Sequence, residues 1–171
     1  MSLSIRKLEP GDCRVIADAF ARIGWESHKP ITQYERYLEE QRNDDREVLV
    51  AFEDAEFAGY VTIVWQPTYV PFLSEGIPEV QDFNVLPQFR RRKIGTALMD
   101  RAEENISARS SIVGIGVGMY ADYGNAQRLY VKRGYIPDGR GLTYAGAVVP
   151  PLESVVNDDD LVLYFTKRLG T

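Results

Sequence analysis

Val85-Leu86-Pro87-Gln88-Phe89-Arg90-Arg91-Arg92-Lys93-Ile94-Gly95-Thr96-Ala97-Leu98 is the stretch on which the reading of this sequence turns. Glu79 to Val85 predicts a strand, and Ile94, Ala97, Leu98, Ala102 and Ile106 recur at core spacing, predicting a helix from Arg92 to about Ser107. A strand therefore passes into a helix through a short basic loop. The start of a helix offers unpaired main-chain N–H groups and the positive end of the helix dipole, which together hold a phosphate well. Gly95 and Ala97 lack bulk and would let an anion approach the first turn. Four consecutive cations, Arg90 to Lys93, sit where they oppose the helix dipole at a cost of a few tenths of a kcal/mol each, a conflict that a bound polyphosphate removes. The motif therefore predicts an anion site.

Outward from it, the chain alternates strands and helices. Ser2 to Leu8 predicts a strand, and Asp12 reads as the N-cap of a helix carrying Val15, Ile16, Ala19, Phe20 and Ile23. A second helix follows Pro30, with Tyr34, Tyr37 and Leu38 on one face. Val48 to Phe52 and Phe57 to Trp65 read as an antiparallel hairpin closed by Glu53-Asp54-Ala55-Glu56. Gln66 to Pro78, rich in proline, predicts a loop with one helical turn near Phe72. Ile112 to Val117 is a short buried strand, Tyr123 to Lys132 a helix ended by Gly134, and Tyr135 to Tyr144 and Leu161 to Lys167 the last two strands. The expected order is β-α-α-β-β-β-α-β-α-β-β: a mixed, mostly antiparallel central sheet flanked by helices, in a single domain spanning residues 1–171.

The composition narrows the function. The 171 residues are 44% hydrophobic, enough for a real core, and the formal charge is -5. That balance excludes a general nucleic-acid binder, so any bound anion must be held by a local cluster. A single Cys13 excludes a disulfide framework, and with a single His28 no multi-ligand metal site is expected. The longest mostly apolar stretch, Phe57 to Trp65, is far short of the roughly 20 residues that span a bilayer. The expectation is a cytoplasmic protein with no membrane or nucleic-acid partner.

A second block is Asn125-Ala126-Gln127-Arg128-Leu129-Tyr130-Val131-Lys132-Arg133-Gly134-Tyr135. Read by itself, it is a core helix with a glycine C-cap. Read together, the two blocks resemble the GNAT superfamily of N-acetyltransferases. Arg90 to Gly95 is similar to its acyl-CoA pyrophosphate motif, R/Q-x-x-G-x-G/A, with Lys93 where the first glycine stands. The register Arg92-x-x-Gly95-x-Ala97 satisfies the same pattern, although the first keeps the usual distance between strand and helix. Asn125 to Tyr135 is similar to N-x-x-A-x-x-L-Y-x-x-x-G-F/Y, with its alanine displaced.

The resemblance implies transfer of an acetyl group from acetyl-CoA, as co-substrate, to an amine. Val85, Leu86, Arg90, Arg91, Arg92, Lys93, Ile94, Gly95, Thr96, Ala97 and Asn125 are the implied cofactor-binding residues. Tyr130 is the implied acid for the departing thiolate, and a main-chain N–H near Val85 would face the thioester oxygen. A non-catalytic acyl-CoA sensor is the alternative on the same fold. Asp82, expected opposite Phe83 and Val85, is the candidate base if a cleft raises its pKa; an ordinary paired strand carboxylate is the other reading. Glu75, Glu79, Asp82 and Asp122 would attract a cationic acceptor, a small molecule or a peptide. Trp25, Tyr34, Trp65, Tyr69, Phe72 and Tyr123 are either core or the walls of its pocket. The glycine-faced strand Val113-Gly114-Ile115-Gly116-Val117-Gly118 admits either a ligand or tight packing. Gly139 to Asp160 is the segment through which a homodimer would form.

Overall fold

Asp54 and Ala55 join two strands with φ of 49° and 68°. A two-residue hairpin needs both central residues left-handed, because only that twist matches the flanking strands. In the structure, a computed structural model that describes residues 1–170, β2 (Arg46–Glu53) accordingly pairs antiparallel with β3 (Glu56–Val64). Both strands are buried along almost their whole length, as continuous apolar runs require. β1 (Leu3–Lys7) pairs antiparallel with the other edge of β2.

The first two helices, α1 (Asp12–Arg22) and α2 (Ile31–Arg42), bury Ile16, Ala19, Phe20 and Tyr34, Tyr37, Leu38 respectively. Asp12 is not the N-cap, which is Gly11. Its buried carboxylate instead accepts both Arg6 guanidinium N–H groups, at 2.7 and 2.9 Å, and the Glu9 N–H. Val15, expected in the core, is 45% exposed.

The remaining elements are α3 (Val70–Glu75), β4 (Glu79–Val85), α4 (Ile94–Ser107), β5 (Ile112–Gly118), α5 (Gly124–Lys132), β6 (Ile136–Tyr144), β7 (Ala147–Val148) and β8 (Leu161–Arg168). The sheet is eight-stranded and mixed, in the order β1-β2-β3-β4-β5-β8-β6-β7. β4 pairs parallel with β5, at Glu79↔Gly114 and Val80↔Ile115, whereas β1–β2, β2–β3, β5–β8, β6–β7 and β6–β8 are antiparallel. No helix among the described residues is long and apolar enough to cross a membrane.

The chain forms two compact units, Met1–Trp65 with Gln81–Asn105, and Gln66–Val80 with the chain from Ile106 onward. In the first, α4 buries Ile94, Leu98, Met99 and Ala102, and β4 from Gln81 leads into it. In the second, β8 runs antiparallel between β5 and β6, and α3 provides Phe72 to the core.

Candidate active site

The turn between β4 and α4 is built on local anchors. Leu86 donates its N–H to Ala58 O at 2.9 Å, and a single 3₁₀ turn, Pro87–Phe89, buries Phe89. Beyond it, Arg91 and Lys93 are both left-handed, each with φ 63°. For a residue with a side chain that conformation costs roughly 1–2 kcal/mol. These two residues delay the helix to Ile94, two positions after its expected start. Ala97 N–H bonds Lys93 O at 3.0 Å, so by helix geometry the N–H groups of Ile94, Gly95 and Thr96 have no intrahelical acceptor.

The cations of the turn do different things. Arg92 pairs with the buried carboxylate of Glu53 at 2.5 Å, and its guanidinium carbon lies 5.4 Å from the Phe89 ring centre. Arg90 folds back, its Nε donating to Val85 O at 3.3 Å. Arg91 and Lys93 are exposed. Gly95 is small for a packing reason: a Cβ there would stand 2.9 Å from Cζ of Phe83. Its missing side chain therefore accommodates β4.

Asp82 lies in the left-handed region with φ 51°, inside β4. Its carboxylate accepts five hydrogen bonds: Lys29 Nζ at 2.5 Å, Tyr60 OH at 2.6 Å, Asn84 Nδ2 at 2.7 Å, Tyr37 OH at 2.9 Å and Gln33 Nε2 at 3.0 Å. Tyr34 OH lies 3.3 Å from Tyr60 OH. Burial by itself would raise the Asp82 pKa. The Lys29 charge and the bonds from Lys29, Tyr60 and Tyr37 outweigh it and hold the carboxyl below its ordinary range. The raised pKa expected for a base is thus reversed. Burial, and then the Asp82 charge, push the Tyr60 and Tyr37 phenols up, so both remain donors. Sequence reasoning missed Lys29, whose neighbour His28 is exposed. No spacing rule marks Lys29, Gln33 and Tyr60 as partners of one strand carboxylate.

In the second unit, α5 ends in a full Schellman motif. Tyr135 N–H bonds Tyr130 O, Gly134 N–H bonds Val131 O, and Gly134 takes φ 93°. The accompanying apolar contact is the Tyr130–Tyr135 ring pair, 5.9 Å between centres. Tyr130 is 5% exposed, and burial raises its pKa, so its hydroxyl is protonated. Asn125 lies exposed in the first turn of the same helix. On β5 the glycine face is filled by rings: a Cβ at Gly114 would stand 2.3 Å from Phe72, and one at Gly118 2.4 Å from Tyr123. Tight aromatic packing accounts for those glycines. Tyr164 extends the layer, stacked on Tyr69 with centres 3.6 Å apart. Tyr69 OH donates to Asp138 at 2.7 Å, and Glu75 pairs with Arg140 at 3.0 Å.

A profile of the acetyltransferase (GNAT) family matches residues 13–135, well over half of the chain. The chain belongs to the GNAT family of acetyltransferases. The fold agrees with solved GNAT structures. A GNAT-family protein from Desulfovibrio desulfuricans is 15% identical, with a TM-score of 0.74 over 98% of this chain and 99% of that one. YncA from Salmonella typhimurium, solved with its cofactor acetyl-CoA, is 14% identical, with a TM-score of 0.71 over 100% and 96%. Spermidine/spermine N-acetyltransferase SpeG from Vibrio cholerae is 17% identical, with a TM-score of 0.65 over 97% and 92%. No curated protein matches the sequence.

By its family, this GNAT chain is an acetyltransferase. The β4–α4 turn has the main-chain donors and exposed cations that suit an anion such as a diphosphate. Ile94, Gly95 and Thr96 have N–H groups to offer, and Arg91 and Lys93 are exposed beside them, whereas Arg92 is paired with Glu53. In the register Arg90-x-x-Lys93-x-Gly95, Lys93 stands at the first glycine of the motif. The position occupied by glycine in the motif has positive φ here, although a lysine stands there.

Proposed function

We propose that this protein transfers the acetyl group of acetyl-CoA to a primary amine of a cationic small molecule or peptide, as a single cytoplasmic catalytic domain. The observation that carries the reading is Lys93, held left-handed where the phosphate-binding motif has glycine. Strain of that kind persists where a function needs the conformation.

In the reaction the amine nitrogen bonds the acetyl carbon, the carbon–sulfur bond breaks, and the thiolate takes up a proton. Main-chain N–H groups of Ile94, Gly95 and Thr96 hold the diphosphate, with the Arg90, Arg91 and Lys93 cations around it. Asn125 bonds near the pantetheine arm. A main-chain N–H at the end of β4, near Val85, polarises the thioester oxygen. Tyr130 supplies the proton to sulfur. The burial that raises its pKa would raise that of a thiol in the same apolar surroundings, which keeps the two matched. The acceptor must shed its own proton before it attacks. Asp82, saturated and low in pKa, does not take that proton, which leaves through water.

The -5 charge and the ring-lined, carboxylate-bearing second unit support a cationic acceptor. Spermidine, the acceptor in the name of one structural neighbour, is therefore the probe of choice. Exposed Val148, Leu152 and Val156 support a homodimer through the segment from Gly139 to Asp160.

The test pairs calorimetric titration of acetyl-CoA with thiol release in the presence of spermidine, for wild type and Tyr130→Phe. We expect acetyl-CoA affinity to stay within threefold while turnover falls about 100-fold or more. Wild-type turnover in the variant would remove Tyr130 as the acid. A folded wild type that binds no acetyl-CoA would overturn the site.

A further inference from the structure

Lys29 belongs to the short connection between α1 and α2, and its neighbours Gly24 to His28 are exposed. Lys29 itself is not: its side chain is 14% exposed, with Nζ 5.9 Å from the Phe20 ring centre and 5.7 Å from that of Tyr60. Nζ donates to Asp82 at 2.5 Å and to Tyr60 OH at 3.1 Å. The other four donors to Asp82 are neutral, so among the described residues Lys29 is the cation that pairs with this carboxylate. Arg46, whose guanidinium carbon stands 4.1 Å from the Tyr37 ring centre, is committed to Glu40.

Asp82 is also where β4 departs from strand geometry, with φ 51°. A non-glycine residue stays there only when its surroundings over-determine it. Just beyond the kink the main chain is fitted closely on both sides. A Cβ on Gly59 would lie 2.4 Å from Asn84 O, and Phe83 packs against the bare face of Gly95. A small shift at Asp82 would therefore be passed to Asn84 and Val85 rather than absorbed.

We propose that the Lys29–Asp82 contact is a clamp through which the α1–α2 connection holds the kink of β4 and so positions the main chain at Asn84–Val85. Lys29 and Asp82 are then positioning residues for acyl transfer, which rests on the reading under Proposed function. The clamp itself is a property of the fold and can be measured without any acceptor.

The experiment compares wild type, Lys29→Met and Lys29→Arg. Amide hydrogen exchange is followed over residues 81–86, with residues 46–53 as reference, alongside acetyl-CoA affinity and turnover with spermidine. We expect Lys29→Met to speed exchange over 81–86 at least tenfold while the reference stays within twofold. Turnover should fall at least tenfold with acetyl-CoA affinity unchanged within threefold, and Lys29→Arg should restore most of both. Lys29→Gln, which keeps a donor without the charge, is read in the same way if Lys29→Met does not fold. Unchanged exchange over 81–86, or loss of turnover that Arg does not rescue, overturns the clamp. If wild type binds acetyl-CoA but does not acetylate spermidine, the acceptor reading fails and the exchange data alone decide the clamp.

Discussion

A carboxylate that accepts five hydrogen bonds, one of them from an ammonium, has little reason to take up a proton near neutrality. That favours the charged form of Asp82 in the folded protein. Its folded pKa lies below the ordinary carboxylate value, so its contribution to stability is complete above the unfolded pKa of about 3.9 and is lost as pH falls through the folded value. Urea unfolding between pH 3 and 7 should show a plateau above about pH 5 and a decline in acid. Asp82→Asn should remove part of that decline and cost about 3–5 kcal/mol at neutral pH, because Lys29 is left buried without its partner. Equal stability of variant and wild type at pH 7 would show that the network contributes nothing. Tyr130 follows the same physics in the other direction: burial without a countercharge keeps its proton on.

At the scale of elements, the β4–α4 turn is a place where sequence and backbone disagree. Arg91 and Lys93 both occupy the conformation that glycine adopts freely. Lys93→Gly should relieve roughly 1–2 kcal/mol of strain and lose about 0.5–1 kcal/mol to the greater freedom of the unfolded chain. A net stabilisation of a few tenths to about 1 kcal/mol in urea unfolding is expected. A destabilised variant would mean that the lysine side chain contributes contacts that outweigh the strain. The glycines of β5 show the opposite relation. Their spacing on one strand face was readable, but whether a ligand or a ring filled that face depended on Phe72 and Tyr123, which come from distant positions in the chain. In α5 the sequence was already sufficient, because a Schellman cap is a local structure and Gly134 and Tyr135 specify it.

At the scale of the whole molecule, a net charge of -5 sets a long-range field that attracts cations. With the Debye length shrinking from about 30 Å at 0.01 M salt to about 8 Å at 0.15 M, kcat/KM for spermidine should fall severalfold across that range. A neutral amine acceptor should show much less dependence. If the two acceptors responded alike, the summed charge would play no part in substrate capture. In the proposed acetyl-CoA site, a local cluster of cations works against this field, and Arg92 of that cluster is held by Glu53.

The sequence by itself determined the order of strands and helices apart from the two-residue β7, the mixed sheet, the basic turn before α4, and the cap that holds Tyr130. Each follows from periodicity or from residues within a few positions of one another. Only the tertiary structure decided the state of Asp82, the partner of Arg92 and the filling of the β5 glycine face. The physical reason is distance along the chain. Lys29 meets Asp82 from 53 positions away, Tyr60 from 22, and Arg92 meets Glu53 from 39. A pKa depends on such neighbours far more than on the residues on either side. The same holds for whether a cation is free to meet a phosphate.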